Sequence, residues 1–543
     1  LEDGSLSLSL PAKVPWQVSS CLYPAVMFED MVITGVCAVA RHICKYKTRP
    51  LCPQEHEEGL LGFRKSCLQA PNEVSIWTKF CEVDIINTIK DILISEKVEE
   101  IPKNIVRFEN HLSKPVKVHN VYKIAREIKK DNLKSETLKE DNKNAEPTSE
   151  DKKRTAKNRK WKSKAKNEHL IESSTNIEDL DINHQFAEGP FLTLADLILM
   201  PSYKILIQAL SSINFEKHLP LTWKWYQSMT MITELTNINN FLSLSHVNCR
   251  VFNEISIADT DDVSLYKCDP KRHNPKKRLF TKEDDIEEAL STILQQMVLD
   301  VSENKMSENT QINWNEIPDG ANPTAGHLPE KRMDRKQLQL ENLTLATLQV
   351  AKPGDVIVDF CSGSGHLGIL VACLLPSCTM LLLENKEQSL MRARDRVHKM
   401  KLKNVYFYQC NLDFFVGKFD VGLALHACGV ATDLVLDKCL KAKAKFVLCP
   451  CCYGSLHATD RLVYPRSEVF NKSVPLDKYL CIGHAADQTH ENHPLTARGA
   501  KCMEVIDSDR ARLAEQNGYS VTLSKLKPLT CTPKNNLLIG IPV

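Results

Sequence analysis

Apolar residues recur at helical spacing from Val14 to His42 and again from Ile76 to Ile94, the period that turns one stripe of a helix toward a core. Residues 1–127 are therefore predicted to be helical. From 128 to 181 the pattern lapses into a polar, charge-rich stretch with too few apolar side chains for a core, and a disordered insertion is expected there. Helical spacing returns over 182–258, in Leu194, Leu197, Ile198, Met200, Ile205, Leu206 and Leu210. At the head of that run Thr193 and Asp196 have the S/T-x-x-D spacing of a capping box, in which the acid reaches back to a backbone amide that the helix start leaves unpaired. Residues 259–324 are polar again and read as a linker.

From 325 to 543 the period changes. Short apolar runs at 355–360, 378–384, 404–409, 420–425 and 445–449 alternate with helical stretches such as 388–400, the signature of a parallel sheet covered on both faces. Two last runs, 519–523 and 536–541, read as a terminal strand pair rather than another parallel crossover. No uncharged apolar run reaches the roughly 18 residues of a bilayer span, so no membrane partner is expected.

Composition adds three constraints. With 543 residues, 43% hydrophobic and 25% charged, the chain can build several ordinary cores and is not disordered throughout. Its 70 Lys and Arg nearly cancel 68 Asp and Glu, so attraction to a polyanion has to come from a local cluster. One is present: Lys152 to Lys166 carries nine basic residues and no acid around Trp161. It suits an RNA-phosphate patch, a nuclear-import signal or a solvated loop. Twenty cysteines, many inside apolar runs, point to reduced thiols in the cytoplasm, with the nucleus as a second compartment.

The chemistry gathers after the first strand of the last domain. Asp359 closes that strand, and Cys361-Ser362-Gly363-Ser364-Gly365-His366-Leu367-Gly368 is a glycine-rich turn feeding an apolar helix, where missing Cβ atoms let a nucleotide-like ligand approach the backbone. A carboxylate at Asp359 suits the ammonium of S-adenosyl-L-methionine and would repel a pyrophosphate. Glu384, ending the second strand, stands where ribose hydroxyls are held, and Asn411 or Asp413, after the third, would meet the adenine amino group. The expected cofactor set is thus Asp359, Cys361, Gly363, Gly365, Glu384, Asn411 and Asp413. At the ends of the fourth and fifth strands, His426, Cys428, Gly429, Cys449, Cys451, Cys452 and Tyr453 are expected to share the same crevice, since ligands bind outside the carboxyl ends of strands in such sheets. His426 is the candidate catalytic base. The spacing C-x-C-C is not the C-x₂-C knuckle of zinc sites, and no metal is expected.

These motifs resemble known families. Asp-x-Cys-x-Gly-x-Gly at 359–365 is similar to the first motif of class I methyltransferases, with Cys361 in place of a glycine. His426-Ala427-Cys428-Gly429-Val430-Ala431-Thr432-Asp433, followed by Cys451-Cys452, resembles a branch that includes a tRNA ribose 2′-O-methyltransferase, and the segment with Arg335, Lys336, Gln337, Gln339 and Asn342 resembles that family's preceding helix. Tyr453-Gly454 departs from its two histidines, so that loop's role does not carry over. The box at 193–196 resembles the C-terminal helical domain of glutathione transferases, whose glutathione-gripping thioredoxin-like unit has no counterpart before residue 128. The whole chain resembles the glutathione S-transferase C-terminal domain-containing proteins. The resemblance implies an all-α glutathione transferase C-terminal-like helical domain followed by an α/β Rossmann-like class I methyltransferase domain, acting on RNA at a ribose 2′-hydroxyl. Two alternatives remain: a methyltransferase fold kept as a binding scaffold without turnover, and a glutathione-linked protein.

Overall fold

The computed structural model describes residues 14–46, 59–70, 75–130 except 119, 171, 174–236, 255–266, 283–296, 299, 301–302, 311–326, and 330–543 except 460 and 490–494. The basic run Lys152–Lys166 and much of the expected insertion and linker lie outside them. The chain divides into two units, 1–39 with 269–543, and 40–268.

The first unit is built on a nine-stranded sheet. Its strands are β1 (Ala25–Phe28), β2 (Met31–Thr34), β3 (Val356–Phe360), β4 (Thr379–Glu384), β5 (Val405–Gln409), β6 (Val421–Leu425), β7 (Lys445–Cys449), β8 (Tyr519–Lys525) and β9 (Asn536–Pro542). They lie in the order β1-β2-β5-β4-β3-β6-β7-β9-β8. Strands β2 to β7 pair in parallel, while β9 runs antiparallel between β7 and β8. The expected terminal strand pair is therefore present, as β8 and β9, and the order reverses at β3, where a crevice opens in sheets of this kind.

Its longer described helices include α1 (Glu283–Gln296), α2 (Glu330–Val350), α3 (His366–Leu374), α4 (Glu387–Met400), α5 (Val430–Ala442), α6 (Leu476–Ala486) and α7 (Thr496–Gln516). Alternation along β4 shows how they divide. Met380 and Leu382 pack with α2, α3 and α4, and Leu381 and Leu383 face the opposite layer of α1, α5, α6 and α7. Both faces being buried, the strands are continuous apolar runs.

Three expectations need correcting here. The first 127 residues are not all helical: β1 and β2 form a hairpin whose second strand pairs Met31 with Phe407 and Ile33 with Gln409 at the sheet edge. All four residues of β2 are buried, and a short run that is apolar on both faces looks the same in a helix as in a strand. The linker assigned to 259–324 contains α1, whose Ile286, Ala289, Leu290 and Ile293 enter the core; the acidic outer face hid that stripe. The insertion assigned to 128–181 has ordered flanks, since Leu180 packs with Val116, Val121 and Ala125.

The second unit is mainly helical, with Ile85–Ile94, Lys103–Leu112, Leu194–Leu210 and Pro220–Thr230 among its longer described helices. It also holds a two-residue parallel pairing of Glu100–Ile101 with Ser256–Ile257. Asp196 is fully buried and completes the expected box: its Oδ2 accepts from the Thr193 amide at 2.9 Å, and Oδ1 accepts from Trp225 Nε1 at 2.9 Å. Among the described residues no single helix is long and apolar enough to cross a membrane.

Candidate functional site

The site begins where β3 turns into α3. Asp359 is buried, and its Oδ2 accepts from the Gly368 amide at 2.9 Å, clamping the end of the strand to the first turn of the helix. Burial drives its carboxyl up to about 7, against the pull of the Lys336 ammonium. Between them Cys361, Gly363 and Gly365 all take positive φ, +56°, +57° and +72°. A Cβ on Gly368 would come within 2.2 Å of Leu382 Cδ2, so this glycine lets α3 lie directly on β4. Glu384, at the end of β4, accepts from the Gly363 amide through Oε2 and from the Lys386 amide through Oε1, both at 2.8 Å. The glycine turn and the acid of the neighbouring strand thus form one cradle.

The cradle has unspent polar capacity. Ser362 Oγ, His366 Nε2 and Gln409 Oε1 are buried without a hydrogen-bond partner among the described residues, whereas buried polar atoms are nearly always paired with protein, water or ligand. Open space beyond Gly363, where an added Cβ would meet nothing within 4 Å, fits a ligand with several polar atoms. After β5, Asn411 is buried, and Asp413, expected to meet adenine, is engaged by both terminal nitrogens of Arg461.

The next two strand ends bring up the remaining candidates. His426 has φ +69°, its amide donates to the Cys449 carbonyl at 3.2 Å, and its Nε2 meets Gln339 Oε1 at 2.9 Å. Gln339 Nε2 donates to the Cys531 carbonyl at 3.3 Å, which assigns the amide oxygen to the histidine side, places the imidazole proton on Nε2 and leaves Nδ1 as the acceptor. Burial, with the Lys336 charge, lowers His426 to about 4, so it is neutral at physiological pH. Gly429, φ +58°, caps α5. Cys428 and Cys451 stand 3.3 Å apart, sulfur to sulfur, and Cys451 and Cys452 3.5 Å apart; hydrogen bonds from these two neighbours hold the Cys428 thiol well below its ordinary range.

Two expected crevice residues lie elsewhere. Cys449 is buried in the core, its Sγ directed at the Lys534 carbonyl at 3.6 Å. Tyr453 is buried too: its hydroxyl donates to Asp507 at 2.7 Å, and Arg510 and Lys534 lie 5.6 and 5.3 Å from the centre of its ring. Alternation within 445–453 does not reveal this, because the chain leaves the strand after Cys449. Conversely, Lys336 and Gln339 enter the site from α2 with no role foreseen for them. The available signal was two polar residues three apart, hence on one face, in a helix whose Leu340 and Leu343 are core.

The family model described as a methyltransferase domain matches residues 335–459. A glutathione S-transferase C-terminal domain-containing protein homolog from Drosophila melanogaster is 41% identical over 520 residues, 94% of this chain and 83% of its own. The human glutathione S-transferase C-terminal domain-containing protein is 34% identical over 575 residues, 100% of this chain and 89% of its own. Among solved structures, a Podospora anserina methyltransferase bound to S-adenosylhomocysteine covers 42% of this chain and 89% of its own at 12% identity, with a TM-score of 0.28, too slight a likeness to build on.

Proposed function

The chain belongs to the glutathione S-transferase C-terminal domain-containing proteins, and from that premise we propose that it is an S-adenosyl-L-methionine-dependent methyltransferase acting on RNA at a ribose 2′-hydroxyl. The observation that carries the reading is the cradle: the Gly363 amide held by Glu384 across two strand ends, with the buried Ser362 hydroxyl left over. Asp359, Gly363, Gly365 and Glu384 would hold the cofactor, with Cys361, Asn411 and Asp413 around it. When bound, S-adenosyl-L-methionine supplies an electrophilic methyl group on a sulfonium sulfur.

The chain's own work is then to align the acceptor and exclude water. His426 takes the hydroxyl proton at Nδ1, while its bond to Gln339 fixes the ring. RNA as acceptor is supported by the resemblance of 426–433 to a tRNA ribose methyltransferase motif and by the basic run Lys152–Lys166, which would engage phosphates in the cytoplasm or nucleus. The helical unit reads as a glutathione transferase C-terminal-type domain on its Thr193/Asp196 box, which supports a fold and no glutathione chemistry.

Calorimetric titration with S-adenosylhomocysteine and with glutathione, followed by incubation with labelled methyl donor and total RNA, tests this. Expected are binding of the first ligand only and label in ribose after nuclease digestion. Binding of glutathione alone overturns the transferase reading; cofactor binding without labelled RNA overturns the acceptor. In the same assay His426→Gln should lower kcat by about 10²–10⁴-fold with S-adenosylhomocysteine affinity unchanged.

A further inference from the structure

The transferase reading leaves three thiols at the crevice unused. Parallel β6 and β7 put their following loops side by side, which brings Cys428 to Cys451 and Cys452. The three sulfurs lie within 4.8 Å of one another, with neighbouring pairs at 3.3 and 3.5 Å. Three thiolates bound at about 2.3 Å to a tetrahedral zinc ion stand about 3.8 Å apart. The ligand triangle therefore needs only small shifts to close on an ion.

Charge and access agree with that geometry. Three thiolates around a dication carry one net negative charge. Lys386 acts on Cys428 and Lys336 on Cys451, while Lys534, near Cys452, is spent on Asp487. The nearby Asp487, which opposes them, is occupied by Lys534 at 2.7 Å and by the amides of Tyr453 and Gly454 at 3.1 and 2.7 Å. Cys428 is exposed, so a fourth coordination position would open to solvent.

We propose that Cys428, Cys451 and Cys452 bind one zinc ion as a three-thiolate site with an open fourth position. The ion ties the loop that carries His426 to the loop after β7, and its uptake releases thiol protons. The site stands on the sulfur geometry and not on the identity of the methyl acceptor.

The full chain, purified reduced in the presence of zinc, should carry one zinc per chain. Cobalt exchanged into it should show thiolate-to-metal charge-transfer bands with the strong visible absorption of a tetrahedral ion. Cys428→Ser, Cys451→Ser and Cys452→Ser should each weaken zinc binding by at least about tenfold, while Cys373→Ser, in α3, should not. The urea midpoint of each variant reports whether it is still folded whether or not S-adenosylhomocysteine binds, which separates failure of the metal site from failure of the transferase reading. Absence of zinc, zinc retained by all three variants, or a Cys428–Cys451 disulfide in freshly isolated protein overturns the proposal. Should the serine variants not fold, the cobalt spectrum of the unaltered chain decides, and a spectrum without charge-transfer bands overturns it.

Discussion

Cys361 and His426 are non-glycine residues held at φ +56° and +69°, a backbone that costs about 1–2 kcal/mol each. Both stand where a strand passes into the crevice, and such strain survives only where surrounding contacts enforce it. For His426 those contacts are the Cys449 carbonyl and Gln339. Cys361 occupies a position where the family resemblance expects glycine, and it keeps a glycine-like backbone, so the turn has retained its shape without that residue. Gly368 has no such latitude: Gly368→Ala drives a methyl into Leu382. It should destabilise the protein by about 1–3 kcal/mol and weaken S-adenosylhomocysteine binding; an unchanged urea midpoint would mean that Leu382 yields. His426, lowered to about 4, stays neutral above pH 6. The rate should accordingly show no His426 inflection between pH 6 and 8, and an inflection near 6.5 that disappears in His426→Gln would contradict the burial assigned to it.

At the scale of elements, the β1–β2 hairpin is fastened by its turn. Arg394 on α4 pairs with Glu29 and Asp30, and His398 meets Asp30 at 2.6 Å. Burial alone would raise the Asp30 carboxyl, but the bonds from His398 and Arg394 outweigh it and hold it below its ordinary value. That stabilisation is present above the unfolded Asp value of about 3.9 and fades as pH falls through the lower folded value. Asp30→Asn should cost about 1 kcal/mol and open the hairpin amides to hydrogen exchange; unaltered protection in β2 would show that strand pairing alone suffices. On the opposite layer, Asp433 of α5 meets Arg510 of α7 at 2.7 and 2.9 Å, both fully buried, with Tyr464 adding a third bond. Asp433 lies in the first turn of α5, as its place after Thr432 suggests, but it faces inward. Asp433→Ala leaves a buried guanidinium short of its main partner and should cost about 3–5 kcal/mol in a denaturant titration.

For the molecule as a whole, buried neutral histidines tie stability to acid in both units, His426 in the sheet unit and His111 in the unit of 40–268. In the unit of 40–268, His111 is fully buried between the Ala187 carbonyl and Ser264, and burial, with His184 beside it, lowers it to about 3. The unfolded chain takes up that proton near 6.5 and the folded chain does not. This residue's contribution therefore falls as pH drops from 6.5 toward 3, by about 1.4 kcal/mol per unit. Glu188 and Asp196, raised by burial, act in the opposite direction, so the measurement is a comparison. Stability followed by tryptophan emission should decline less between pH 6.5 and 5 in His111→Gln than in the unaltered chain, and parallel profiles would sink the assignment.

Much was legible along the chain. The change of period after 325, the turn from Asp359 to Gly368, the acid ending β4 and the Thr193–Asp196 box are all local signals. Each reports the burial period or backbone demand of one short segment, and composition within ten or twenty residues is enough to determine it. The tertiary structure decided what those segments meet. It paired Met31 with Phe407 at the sheet edge, turned Tyr453 and Cys449 into the core, brought Lys336 and Gln339 into the crevice, and set Cys428 against Cys451. Contacts between distant segments depend on which apolar faces and unpaired strand edges remain to be covered once the sheet has formed, and no repeat period within a segment carries that information.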